Sequence, residues 1–115
     1  MKIVNRVKKY EEFQAIINQG KFLRNDSFNV YFQLNNRGYT RFGISIPKKS
    51  GDAVIRNRMK RQIRAAIAQK CDYTLPYDII VIARKTYEIE NFQKTLADLT
   101  DIVQKVGQTE WKNAN

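Results

Sequence analysis

Along SFNVYFQL, residues 27–34, Phe28, Val30, Phe32 and Leu34 alternate with Asn29, Tyr31 and Gln33. Side chains two apart share one face of a strand, so this segment reads as a half-buried strand. Its open, polar face carries one aromatic, Tyr31. A second strand follows in YTRFGISI, residues 39–46, with Phe42, Ile44 and Ile46 inward and Arg41, Gly43 and Ser45 on the other face. NNRG at 35–38 makes the turn between them. YDIIVIAR, residues 77–84, does not alternate; a short apolar run rich in β-branched residues predicts a strand covered on most of its surface.

Three other stretches carry the helical period. Tyr10, Phe13, Ile16 and Ile17 mark a first helix stopped at Gly20. Ile55, Met59, Ile63, Ala66 and Ile67 fall within about 120° of one another around a helix axis. They predict a second helix, with Asp52 as its N-cap. Phe92, Leu96, Leu99, Val103 and Val106 predict a third, starting near Asn91 and stopping at Gly107. Residues 108–115 are expected to fray, with Trp111 able to dock back on the core. No repeat or linker interrupts residues 1–115, so a single domain is expected. The order α-β-β-α-β-α predicts an α+β fold, a two-layer sandwich of helices on a sheet.

Charge changes the picture at the second helix. The chain carries a net charge of +10, and residues 1–70 hold 16 Lys and Arg against four acids, a net +12, while residues 71–115 come to −2. Arg56, Arg58, Lys60, Arg61 and Arg64 stand in nine positions with no acid among them. On the helix they lie away from the apolar stripe, except Arg56, which sits at its edge. A merely soluble helix mixes signs to gain i,i+4 pairs, whereas Arg58, Arg61 and Arg64 repel one another at i,i+3. That repulsion calls for an anionic ligand. Arginine at four of the five positions favours phosphate, whose oxygens match the planar guanidinium fork. Lys48, Lys49 and Arg41 extend the tract, and a nucleic acid is preferred over an anionic membrane surface.

Catalytic chemistry finds little support. The chain has no histidine, and Cys71, its one cysteine, has no imidazole to activate it. Asp98 and Asp101 share a helix face and Glu88 and Glu90 are near neighbours, but solvated surface is the simpler reading for all four. A metal-dependent protein nuclease would need such carboxylates to converge. No stretch approaches a membrane span, and a lone thiol suits a reducing cytoplasm.

RNRMKRQIR, residues 56–64, resembles the RNR motif of the bacterial ribonuclease P protein family. FGISIPKKSGDAV resembles the entry to that motif, YEEFQAIINQGK and SFNVYF the family's first helix and strand, and YDIIVIARK its last strand. The likeness covers most of residues 6–86, in order. It implies a small protein partner of a catalytic RNA that removes 5′ leaders from precursor tRNA, with a left-handed β-α-β crossover around the motif helix. By the same resemblance Arg56, Asn57, Arg58, Lys60, Arg61 and Arg64 contact the RNA subunit. Phe13, Ile17, Tyr31, Lys48, Lys49, Lys60 and Arg64 are implied for the leader, in a cleft between sheet and first helix. Mg²⁺ is expected on the RNA and substrate, with no catalytic or metal-binding residue in the protein, no DNA and no membrane partner. Ile17 stands where some members carry an aromatic, and Asp52 replaces a common asparagine. A general RNA-binding module and a protein-only nuclease are the alternatives; a DNA-reading helix-turn-helix lacks its first short helix here. Arg84 and Lys85 either border the cleft or end a strand.

Overall fold

A computed structural model describes residues 3–109. Helix α1 (Tyr10–Gln19) leads into strands β1 (Lys21–Arg24), β2 (Phe28–Leu34) and β3 (Arg41–Ser45). A single 3₁₀ turn at Lys48–Ser50 then opens α2 (Ala53–Lys70), followed by β4 (Tyr77–Ala83) and α3 (Phe92–Gln108). The mixed α+β architecture is as expected, with one strand more. β1 has four residues, too few for a pattern, and it forms because Asn25 Oδ1 accepts from the N–H groups of Ser27 and Phe28 in a tight turn. That turn folds β1 antiparallel onto β2.

The sheet order is β1-β2-β4-β3. β4 therefore inserts between the two strands that NNRG joins, antiparallel to β2 and parallel to β3. Parallel neighbours need a crossover, and α2 provides it. Asn36 and Gly38 adopt positive φ in the intervening turn, the backbone these residues tolerate best.

One sheet face packs on α2 and α3. Phe28, Val30, Phe32, Phe42, Ile79 and Val81 meet Met59, Ile63, Ile67, Leu99, Ile102 and Val106 there in one buried cluster. The predicted inward faces of β2, β3, α2 and α3 are thus the observed ones. α3 continues through Gly107 to Gln108, and Trp111 and the end of the expected tail lie outside the described residues. The second face is less open than the alternation in β2 predicted. Val7, Ile16 and Ile80 form a small second core there, with Phe13, Ile17, Tyr31 and Ile82 packed around it. Tyr10, expected on α1's apolar stripe, is 72 % exposed; the helix begins at Tyr10 itself, and Val7 holds the core position from the extended lead-in, where its N–H donates to Phe42 O.

Candidate nucleic-acid interface

α2 starts where Asp52 Oδ1 accepts from the Ile55 N–H at 3.0 Å. That cap fixes the helix phase, and the phase turns Met59, Ile63, Ala66 and Ile67 into the core. The cations are left on the other side. Asn57, Arg61 and Arg64 are exposed; Arg56, Arg58 and Lys60 are half-buried. Arg56, at the edge of the apolar stripe, folds back, its Nη1 donating to the carbonyls of Lys48 and Gly51 at 3.4 and 3.3 Å. This braces the 3₁₀ turn and leaves Lys48 and Lys49 exposed beside the helix entrance.

One cation of the row is not free. Glu90, just before α3, reaches Arg58 at 3.0 Å, a partner 32 residues away that local charge counting misses. The pair is exposed, so solvent screens most of its energy. Lys60, Arg61 and Arg64 have no ion pair among the described residues.

Lys60 and Arg64 also form one wall of a groove whose other lining residues include Arg6, Val7, Phe13, Gly43 and Ile44. The register explains how sequence-distant residues meet. Phe22, Tyr31, Ile80 and Gly43 are consecutive partners across β1, β2, β4 and β3, one row on the face that α1 partly covers. Phe13 lies on the glycine of that row; a Cβ at Gly43 would stand 2.5 Å from its Cζ. Ile17 and Tyr31 pack on the same small core. Phe13, Lys60 and Arg64 thus meet at the groove, and Ile17 and Tyr31 join Phe13 in the small core under α1. Lys49 is not among them: it lines a separate recess with Arg84 and Lys85.

Two further residues escaped the sequence. Phe22, 46 % exposed, sets its ring 4.9 Å from that of Tyr31 and widens the aromatic surface; it sits on the strand too short to recognise. Arg6 reaches the groove from a lead-in bridged to Phe42. Arg41, expected in the basic tract, is corrected by the fold. It is buried, with Nε and Nη2 on Asp78 at 2.8 and 2.6 Å and Nη2 on Glu12 at 3.2 Å. The Asp78 hydrogen bond, supported by Glu12, outweighs burial and raises its pKa further, so the cation stays charged and serves the fold.

Three of the four acids singled out in the sequence are engaged with other side chains. Glu90 holds Arg58; Asp98 accepts from Ser27 Oγ and lies 3.4 Å from Lys94; Asp101 pairs with Lys105. Asp98 is thereby a structural link, not the solvated acid the sequence implied. Among the described residues no three His, Cys, Asp or Glu gather as metal ligands. Burial pushes the Cys71 thiol up to about 11, so it stays protonated and a poor nucleophile at neutral pH.

This geometry has relatives. The "Ribonuclease P protein component" of Mesoplasma florum is 42 % identical over 106 residues, covering 90 % of this chain and 96 % of that protein. That of Streptococcus agalactiae is 37 % identical over 107 residues, covering 93 % and 98 %. Among solved structures, the Staphylococcus aureus RNase P protein superposes with a TM-score of 0.78 at 36 % identity, over 89 % of this chain and 94 % of that one. The Thermotoga maritima RNase P protein gives 0.78 at 29 % identity, over 92 % and 98 %. With the sequence model of the family, Ribonuclease P, matched across residues 1–107, the chain belongs to the ribonuclease P protein family.

Proposed function

We propose that this protein is the RNA-binding, chemically inert subunit of ribonuclease P: it seats the catalytic RNA on α2 and the single-stranded 5′ leader of precursor tRNA in the groove beside α1. The observation that carries this reading is the groove itself, where the Phe13 ring meets Arg6 and the α2 residues Lys60 and Arg64, three cations with no ion pair among the described residues. Arg56, Asn57, Arg58, Arg61 and the seam residues Lys60 and Arg64 face the RNA subunit. Phe13, Ile17 and Tyr31 hold leader bases, with Phe22 added from the fold. Stacking on a ring tolerates any base, which suits many different leaders. Lys48 and Lys49 neutralise leader phosphates beyond the groove. Because Lys60 and Arg64 belong to both surfaces, the subunit screens substrate phosphates from those of the catalytic RNA.

The Mg²⁺ ions are assigned to RNA and substrate, where bound metal activates water for phosphodiester cleavage; among the described residues the protein's acids do not gather as metal ligands, and no step is routed through them. We place this work in the cytoplasm, where a lone thiol stays reduced.

The test is cleavage of precursor tRNA at low Mg²⁺ by the protein, the ribonuclease P RNA, and both together. Leader removal only in the mixture is expected. Cleavage by the protein alone overturns the inert-subunit reading. RNA binding without rescue of cleavage favours a general RNA-binding role, as does equal affinity for precursor and mature tRNA.

A further inference from the structure

A second recess opens at the entrance of α2, and of its lining residues the functions assigned above use only Lys49. Pro47, Ile55, Met59, Tyr87 and Ile89 give it an apolar lining, and Lys49, Arg84 and Lys85 supply its charge. Ile55 belongs to the buried stripe of α2 yet is 37 % exposed, because it faces this recess. The far wall is held in place. Gln62 on α2 accepts from Tyr87 Oη at 2.8 Å and donates from Nε2 to Ile89 O at 2.7 Å. Thr95 donates to the same phenol oxygen, and Phe28 meets the ring edge-on at 5.8 Å. Arg84 is braced by its Nη1 donating to Asn25 O at 2.7 Å.

The charge is one-sided. Lys49 and Lys85 are exposed and have no ion pair among the described residues. No acid lines the recess, and the nearby Glu90 is turned to Arg58. An apolar floor beneath an unpaired cationic rim matches a planar base carrying its own phosphate. A purely apolar ligand would leave the cations unused, and a bare phosphate would leave the floor unused.

We infer that this recess takes one unpaired ribonucleotide, its base against Ile55, Met59, Tyr87 and Ile89 and its phosphate on Lys49 and Lys85. The inference rests on the RNA-binding reading above but concerns a second site. The nucleotide comes either from the ribonuclease P RNA or from the leader upstream of the groove. The braced wall makes the site preformed, so binding needs little rearrangement.

Methyl and amide NMR of the full chain in chloride buffer tests the site directly, with adenosine 5′-monophosphate and inorganic phosphate as probes. Saturable shifts of Ile55, Met59 and Ile89 with the nucleotide, absent with phosphate and lost in Lys85→Glu, are expected. The source follows from affinities of Lys85→Glu and Ile89→Glu for the ribonuclease P RNA and for substrates of increasing leader length. About a tenfold loss in one series is expected, as for removal of one base contact. Lys85 is an exposed position, so its variant folds even where Ile89→Glu does not. The site is overturned when the nucleotide moves no recess methyl, or phosphate moves them equally. It is also overturned when an acidic peptide binds there and the nucleotide does not, or when neither affinity series changes. Absence of any RNA binding by the wild type overturns the function proposed above, while the nucleotide titration still judges the recess by itself.

Discussion

Gly43 leaves room for the ring of Phe13, and that single absence of a side chain shapes the groove. An added Cβ would stand 2.5 Å from Phe13 Cζ and 2.7 Å from Ile80 Cδ1, well inside van der Waals contact. Ile80 is fully buried and Phe13 only partly, so the ring is what yields. Gly43→Ala should destabilise the protein by about 1–3 kcal/mol, the range for overpacking a filled site. It should also weaken a single-stranded leader oligonucleotide, measured by thermal denaturation and fluorescence anisotropy. Unchanged affinity would remove Phe13 from the leader surface. Gly43's place in the strand was legible; the ring above it was not, because Phe13 arrives from another element. Arg41 shows the opposite failure. Its sign was legible, but its role was set by Asp78, 37 residues on and one register position across the sheet. A mostly buried guanidinium needs its carboxylates there, so its charge is committed to the fold.

At the level of elements, α2 asks most of its first turn. Lys48, Lys49 and Arg56 crowd the end of the helix where the backbone dipole is positive. The Asp52 carboxylate opposes that charge and accepts a free N–H. Asp52→Ala should therefore cost about 1 kcal/mol of stability, within the 0.5–2 kcal/mol range of lost caps. Asp52→Asn should retain most of it, since the amide still caps. Urea unfolding of the two variants against wild type checks the order. Capping is local chemistry, which is why this helix start was readable in advance; the start of α3 near Asn91 was read from apolar spacing, and the structure adds that Asn91 Oδ1 accepts from the Lys94 N–H. β1 was unreadable for the complementary reason: a four-residue edge strand is defined by its partner's backbone, not by its own pattern.

For the whole molecule, the charge asymmetry becomes a surface once the fold has sorted it. Arg41 goes inside and Arg58 is partly neutralised. Lys48, Lys49, Lys60, Arg61 and Arg64 stay outward with Arg56 beside them. With about six phosphates neutralised, log K for RNA should fall against log salt with a slope of about −4 to −5. Filter binding across a chloride series measures it. A slope near zero would mean that the cations do not meet phosphate. Insertion of β4 between β2 and β3 is what sets the two functional faces apart, since the α2 crossover lies over one sheet face and α1 over the other.

The sequence alone determined the periodic elements, the buried sides of β2, β3, α2 and α3, the Asp52 cap and the cationic face of α2. Each follows from spacing along one segment, where helix and strand geometry convert order directly into direction. Tertiary structure alone decided which charges remain available, that Phe22 joins Tyr31, that Phe13 covers Gly43, and that Lys49 faces Arg84 and Lys85 instead of the groove. Those outcomes depend on strand order and register between segments tens of residues apart, and pairing across a sheet leaves no trace in the local pattern of either partner.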